Sequence, residues 1–309
     1  MIHATRSSDP VLIVGSMAFD DLELPSTNAK DVVGGSATYA ALSAALFAPA
    51  RVVAVVGDDF PDHAVEALGA RGVETSGIER ARGKTFRWVG RYAQNLASRT
   101  TLDTQLNVFA DFRPKLPEAF RSSPYLLLGN IHPSLQLEVL AQVTSPKLVA
   151  ADTMNFWISG ERPTLLEMLK KIDTLVINDE ELRELAEEHN VKRAAAVVRR
   201  MGPKRLVVKR GEYGAMLFDE HGIFFAPAYP LEDEVDPTGA GDTFAGALMG
   251  YLSREGVLDR SSLRKALMVA ATVASFCVEG VGTARLKELD RDQVARRLEE
   301  LRVLVHFGG

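Results

Sequence analysis

Short, almost unbroken apolar runs recur along the chain: Val11 to Val14, Val52 to Val56, Tyr125 to Leu128, Leu148 to Ala151, Thr174 to Ile177 and Leu206 to Val208. Longer stretches of helical spacing separate them. Runs this short, rich in Val, Ile and Leu, predict strands buried on both faces, and therefore a mainly parallel sheet flanked by helices. The residues at the end of each run are more telling: Gly15, Gly57-Asp58, Gly129-Asn130, Asp152, Asn178 and Lys209-Arg210-Gly211. In open α/β sheets the ligand crevice lies at the carboxyl ends of the strands, so these positions predict one shared site. A polar residue is also simply what ends an apolar run; the expectation rests on several converging.

Two segments break the strand and helix alternation. Residues around 17–33 and 84–109 are rich in β-branched and aromatic residues without a helical period, and predict extra strands forming a small second sheet. No repeat, low-complexity stretch or long linker divides the chain, so residues 1–309 are expected to form a single domain carrying this inserted sheet. Within it, Thr85 to Tyr92 alternates, with Arg87 and Arg91 on one face and Phe86, Trp88 and Tyr92 on the other. Arginines facing a cleft would suit an anionic ligand; aromatics would suit a neutral sugar, polyol or nucleoside. Near the end, Val294, Leu298 and Leu301 share one helical face in a charged segment, 290–304, which predicts a closing helix.

Composition narrows the class. With 309 residues, 46% hydrophobic and 25% charged, the chain is long enough for one sizeable α/β core. A net charge of -5 without a basic run argues against nucleic acid or an anionic membrane as partner and leaves small molecules. The single cysteine, Cys277, lies in an apolar helical stretch and is expected to be a buried thiol; the histidines show no metal spacing. Residues 1–10 lack the apolar centre of a signal peptide and no apolar run would span a bilayer, so a cytoplasmic location is expected.

The richest stretch is Asp236-Pro237-Thr238-Gly239-Ala240-Gly241-Asp242-Thr243-Phe244. Good helix formers come next, so a helix should begin around Gly239 to Gly241 with its first amides free. Free amides, the positive end of the helix dipole and small side chains make a phosphate cradle. An isolated Asp at such a position ordinarily complements the dipole; beside a phosphate cradle it can instead accept the proton of an attacking hydroxyl.

This stretch resembles the C-terminal signature of the ribokinase-like carbohydrate kinases, also called the phosphofructokinase B type. The resemblance implies a three-layer α/β kinase fold with a small β-sheet lid, which often also makes a homodimer. It implies an anion hole at Gly239, Ala240 and Gly241, with Asp242 as catalytic base. Asn178 and Glu181 match the family's Asn-x-x-Glu pattern, which organises Mg2+ and the ATP phosphates, the metal being held through water. An acidic first turn after a strand is equally normal helix chemistry. The Lys209 to Gly214 loop resembles the nucleotide-side loop, with Gly211, Gly214 and Lys209 as candidates; a solvated basic residue at a strand end is nearly as good a reading of Lys209. Thr238 joins the ATP side, and 278–283, with Gly280 and Gly282, resembles the adenine wall. Some relatives hold a monovalent cation such as K+ near the position of Asp236, and the sequence leaves this open. On the acceptor side, Asp20 matches the Asp that grips hydroxyls, and Gly34-Gly35 before a helix would let substrate approach backbone. Asn107 could reach substrate from the lid, or could be a polar residue on a strand face.

Departures limit what carries over. Tyr39 stands where ribokinases proper have an Asn near the sugar, and the stretch Asp152 to Trp157, similar to the Asp-x-Asn-x-Arg of fructokinase and ketodeoxygluconate kinase relatives, has Phe156 where the Arg would be expected. Gly83-Lys84-Thr85 is not a phosphate-binding P-loop, because Ile78 replaces the required glycine. No Gly-x-Gly-x-x-Gly comes after the first run, which weakens an oxidoreductase reading. The sequence thus predicts an ATP-dependent kinase acting on a hydroxyl of a small sugar or polyol. A nucleoside kinase on the same scaffold and a catalytically silent sugar-sensing regulator stand as alternatives.

Overall fold

A computed structural model describes residues 8–96 and 98–306. Residues 1–7, on which the absence of a leader was read, and residue 97 of the second lid segment lie outside it. The strands are β1 (Val11–Val14), β2 (Ala18–Glu23), β3 (Asn28–Gly34), β4 (Ala50–Val56), β5 (Val73–Arg80), β6 (Phe86–Tyr92), β7 (Arg99–Gln105), β8 (Tyr125–Leu128), β9 (Leu148–Asp152), β10 (Thr174–Asn178), β11 (Arg205–Lys209), β12 (Ala215–Asp219) and β13 (Gly222–Ala226). The helices are α1 (Ser36–Ala45), α2 (Asp62–Ala70), α3 (Pro133–Leu140), α4 (Asn155–Gly160), α5 (Arg162–Leu169), α6 (Asp179–Ala186), α7 (Val191–Arg200), α8 (Ala240–Glu255), α9 (Arg260–Cys277), α10 (Ala284–Glu288) and α11 (Arg291–Leu304).

The main sheet has the order β13-β12-β11-β10-β9-β8-β1-β4-β5. It is parallel from β11 through β5, with β12 and β13 added antiparallel at one edge. The unbroken apolar runs are a direct result of this. In β1, Val11 and Ile13 enter the core on one face, while Leu12 and Val14 enter the core on the other. Successive residues of a strand point to opposite faces, so a strand covered on both sides must be apolar throughout. Burying each such side chain contributes about 1.5–3 kcal/mol. All six predicted runs are strands of this sheet.

Three strands escaped the sequence reading. β5 is an edge strand whose polar, largely accessible residues give no apolar run. β12 and β13 form a hairpin at the other edge, tied by Asp219 accepting the amide hydrogen of His221. The small sheet is present, with order β3-β2-β6-β7 and strands arising from both expected segments. Its inner face gathers Leu22, Leu24 and Tyr92 with Val32, Trp88 and Val281, the last from the loop between α9 and α10. The lid therefore rests on the body of the protein. No helix among the described residues is long and apolar enough to cross a membrane.

Candidate active site

Because β1, β8, β9, β10 and β11 are parallel, their carboxyl ends share one edge, and the residues singled out at those ends converge there. Opposite them lies the N-terminus of α8, which starts at Ala240 with Gly239 as its cap. Gly239 has φ 74, the left-handed region, and a Cβ there would fall 2.4 Å from the Tyr39 ring. Only glycine allows both the turn and the aromatic floor beneath it. The amide of Ala240 turns back to the Pro237 carbonyl (3.2 Å), and that of Thr243 bonds Gly239. By helix geometry the amides of Gly241 and Asp242 are left to face the cleft. The entry is braced by Asp236, fully buried, which accepts the amide hydrogens of Thr238 (2.9 Å) and Gly282 (2.8 Å).

Asp242 projects from this first turn, half-buried. Its pKa is raised, first by burial and then by the Asp152 carboxylate, while Lys209 and Arg99 pull it back. Asp20, on β2, faces it from the lid side. Asp20 is 4% exposed, and its carboxylate receives no hydrogen bond from any described residue. Burial, then the charges of Asp236 and Asp242, push its pKa up to about 8. Gly34 makes room for it, since a Cβ there would meet Asp20 Oδ2 at 2.0 Å. Gly35, with Gly34, leads into α1, whose Tyr39 hydroxyl is buried without a partner among the described residues.

Asn178 and Glu181 form a capping box on α6. Asn178 Oδ1 accepts the Glu181 amide hydrogen (2.8 Å) and Glu181 accepts that of Asn178 (3.0 Å). Glu181 is nonetheless buried beside the cleft, and burial followed by Asp152 raises its pKa. Lys209 is not solvated. It bonds Asp152 at 3.0 Å, and although burial disfavours its charge, the Asp152, Glu181 and Asp242 carboxylates outweigh burial and hold its pKa above the ordinary value. Gly211 and Gly214 bound the short turn after β11, both at positive φ. Asn107 opens a single turn after β7 and donates to the Thr85 carbonyl (2.8 Å), bracing the base of the lid. The 278–283 loop bonds back to the α8 entry through the Val278 carbonyl; its Glu279 lines a polar cavity of about 530 Å³ with Tyr229, Leu231, Arg285 and Arg297.

The lid answers the question its alternation posed. Arg87 pairs with Asp21 (2.7 Å) and Asp31 (2.5 Å), and Arg91 pairs with Glu23. On the aromatic face the Trp88 indole covers Gly90, where a Cβ would meet it at 2.0 Å, and Tyr92 bonds Thr238 (2.9 Å) beside the cradle. Arg99, which the sequence did not single out, stacks on Trp88 with its guanidinium 5.9 Å from the ring centroid. It forms no ion pair among the described residues. Nothing in the polar strand β7 distinguishes Arg99 before folding; its partners come from β6.

Comparison with known proteins agrees with this fold. Residues 8–289 match the family model described as pfkB family carbohydrate kinase. A cytidine kinase of Thermococcus kodakarensis is 29% identical over 250 residues, covering 79% of this chain and 88% of that protein. The structure of Arabidopsis thaliana ribokinase complexed with ribose and ATP superposes with a TM-score of 0.77 at 25% identity, covering 94% of this chain and 99% of that one. A Burkholderia thailandensis nucleoside kinase in complex with inosine shares the fold, with a TM-score of 0.73 at 18% identity and coverage of 94% and 96%.

Proposed function

The chain belongs to the pfkB family of carbohydrate kinases, and from that premise we propose that it transfers the γ-phosphoryl group of ATP to a hydroxyl of a small, uncharged polyhydroxylated acceptor. The observation that carries this reading is the pairing across one cleft of two carboxylates with different surroundings. Asp242 stands in the first turn of α8, and Asp20 is buried without a donor and feels the Asp242 charge through space. A carboxylate without donors suits acceptor hydroxyls, which would supply the missing hydrogen bonds. The acceptor oxygen forms its bond to the γ-phosphorus as the bond to the bridging oxygen breaks. The electron pair leaves with ADP, and the hydroxyl proton passes to Asp242. The amides of Gly241 and Asp242 stabilise charge on the equatorial oxygens.

On the nucleotide side we assign Thr238, Lys209, Gly211, Gly214 and Gly282. Magnesium bound with ATP would neutralise β- and γ-phosphate charge. Asn178 and Glu181 would hold it through water, since the capping box leaves Glu181 Oε1 and the second lone pair of Asn178 Oδ1 to accept from metal-bound water, and the neighbouring carboxylates of Asp152 and Asp242 favour a cation. Asp236 is where a monovalent cation would sit: it is fully buried, and the bonds it accepts come from the Thr238 and Gly282 amides rather than from a cationic side chain. A single domain forming a homodimer through the lid, in the cytoplasm, completes the reading; every residue of β7 is exposed for such contact.

Commitment of Arg87 and Arg91 to lid carboxylates favours a neutral acceptor over a sugar phosphate or acid. The Trp88 platform supports a second reading, a nucleoside whose rings stack there, in keeping with the cytidine kinase relative. The test is magnesium-dependent ADP formation from ATP across neutral sugars, polyols, nucleosides, sugar acids and sugar phosphates. Asp242→Asn should reduce turnover at least ~10³-fold with ATP binding retained. Turnover within a few-fold of wild type in that variant removes the base assignment; silence across the panel despite ATP binding transfers weight to a sugar-sensing regulator.

A further inference from the structure

We propose that Asp152 positions the ammonium of Lys209 as the charged wall of the phosphate cradle, where Lys209 meets the transferring phosphoryl group. The inference rests on the kinase reading and deepens it. Lys209 ends β11 and Asp152 ends β9, with β10 between them, so the lysine stem must cross the end of one strand to make the 3.0 Å contact of Nζ with Asp152 Oδ2. There its Nζ abuts the cradle. A Cβ on Gly241 would fall 2.9 Å from Nζ and 3.6 Å from Cε. Glycine at the third cradle position therefore does more than expose an amide; it leaves the space that the ammonium fills.

Asp152 is itself held by two further bonds. Its Oδ1 accepts the Thr153 amide hydrogen (2.8 Å), and its carbonyl accepts Gln136 Nε2 (3.0 Å), which also bonds the Gly129 carbonyl (3.0 Å). The side chains of Lys209 and Asp152 are 18% and 8% exposed. A buried ion pair seldom stabilises a fold better than apolar packing would, so keeping one at the mouth of a cleft points to use of the charge. Asp152, Glu181 and Asp242 all bear on this one lysine, with Arg99 approaching from the lid. An ammonium against free helix amides complements the charge that spreads over the equatorial oxygens as the acceptor bond forms and the bond to ADP breaks. Lys209 keeps its proton throughout.

The test compares Asp152→Asn, Lys209→Met and the double variant, which removes both charges together. Each single variant should melt lower than wild type because one buried charge is left unpaired, and the double variant should regain the wild-type melting temperature. By calorimetry, the double variant should bind β,γ-methylene ATP at least tenfold more weakly while ADP affinity changes less than threefold. With the acceptor wild type uses, its kcat should stay at least 100-fold down. Asp152→Asn alone should lower kcat with little change in acceptor KM. A double variant that regains both analogue affinity and kcat along with its stability shows a purely structural pair and overturns the proposal. Wild-type protein that binds neither nucleotide overturns the kinase reading itself, and this proposal with it.

Discussion

Asp20→Asn should make the protein more stable while impairing acceptor binding. The change preserves shape and removes a buried charge that has no hydrogen-bond donor among the described residues. Burial, then Asp236 and Asp242, raise its pKa from 3.8 to about 8. Between those values the unfolded chain has released a proton that the folded chain retains, so the stability contributed by the protonated group is full below the unfolded pKa and is lost as pH rises through the folded one. At about 1.36 kcal/mol per unit, the shift sets a ceiling of roughly 6 kcal/mol at pH 8 and above. Relaxation and water in an open cleft lower this to about 2–3 kcal/mol. Unfolding entropy of about 2.1 cal/mol/K per residue converts that to a gain of about 3–5 °C in Tm. Thermal melts at pH 4 and pH 8 check it. The variant should melt within about 1 °C of wild type at pH 4, where little of the penalty has accumulated, and clearly higher at pH 8. A variant that melts lower at pH 8, or whose difference from wild type does not grow with pH, refutes the reasoning.

The cradle and the lid give two further outcomes. Gly239→Ala forces a Cβ into the left-handed region and against the Tyr39 ring, and should cost about 2–4 kcal/mol in urea unfolding; a loss under about 0.5 kcal/mol removes this account of the turn. Tyr92→Phe deletes the 2.9 Å bond to Thr238 and should weaken lid docking by about 1 kcal/mol, raising acceptor KM about fivefold with ATP affinity unchanged; an unaltered KM excludes a role for that bond.

Much of the fold was legible in one dimension because burial on both faces of a parallel sheet leaves a local signature. The run Val11 to Val14 needs no partner to announce itself. β5 and β13 are the edge strands, where one side meets solvent and the apolar signal fails, whereas β12, one strand in, carries a short buried apolar run, 215–218, that the sequence reading passed over. The α8 start was equally legible, since a proline, small residues and then helix formers determine a helix terminus locally. Asn178 and Glu181 were recognised by spacing, but spacing serves a cap and a metal-binding pair alike; the capping bonds appear only once β10 hands over to α6.

What the chain determines by itself is therefore the set of strands buried on both faces, the carboxyl-end positions that must share an edge, and the helix terminus able to hold an anion. Each depends on residues within a few positions of one another. Tertiary structure alone decided which charges are spoken for. Arg87 and Arg91 looked available until β2 and β3 brought Asp21, Asp31 and Glu23 beside them. Lys209 could be read as solvated or as meeting phosphate until β9 placed Asp152 within 3.0 Å, and Asp20 and Asp242, more than two hundred residues apart, came to face one cleft. Electrostatic interaction depends on distance through space and on burial, and neither is encoded locally in the order of residues.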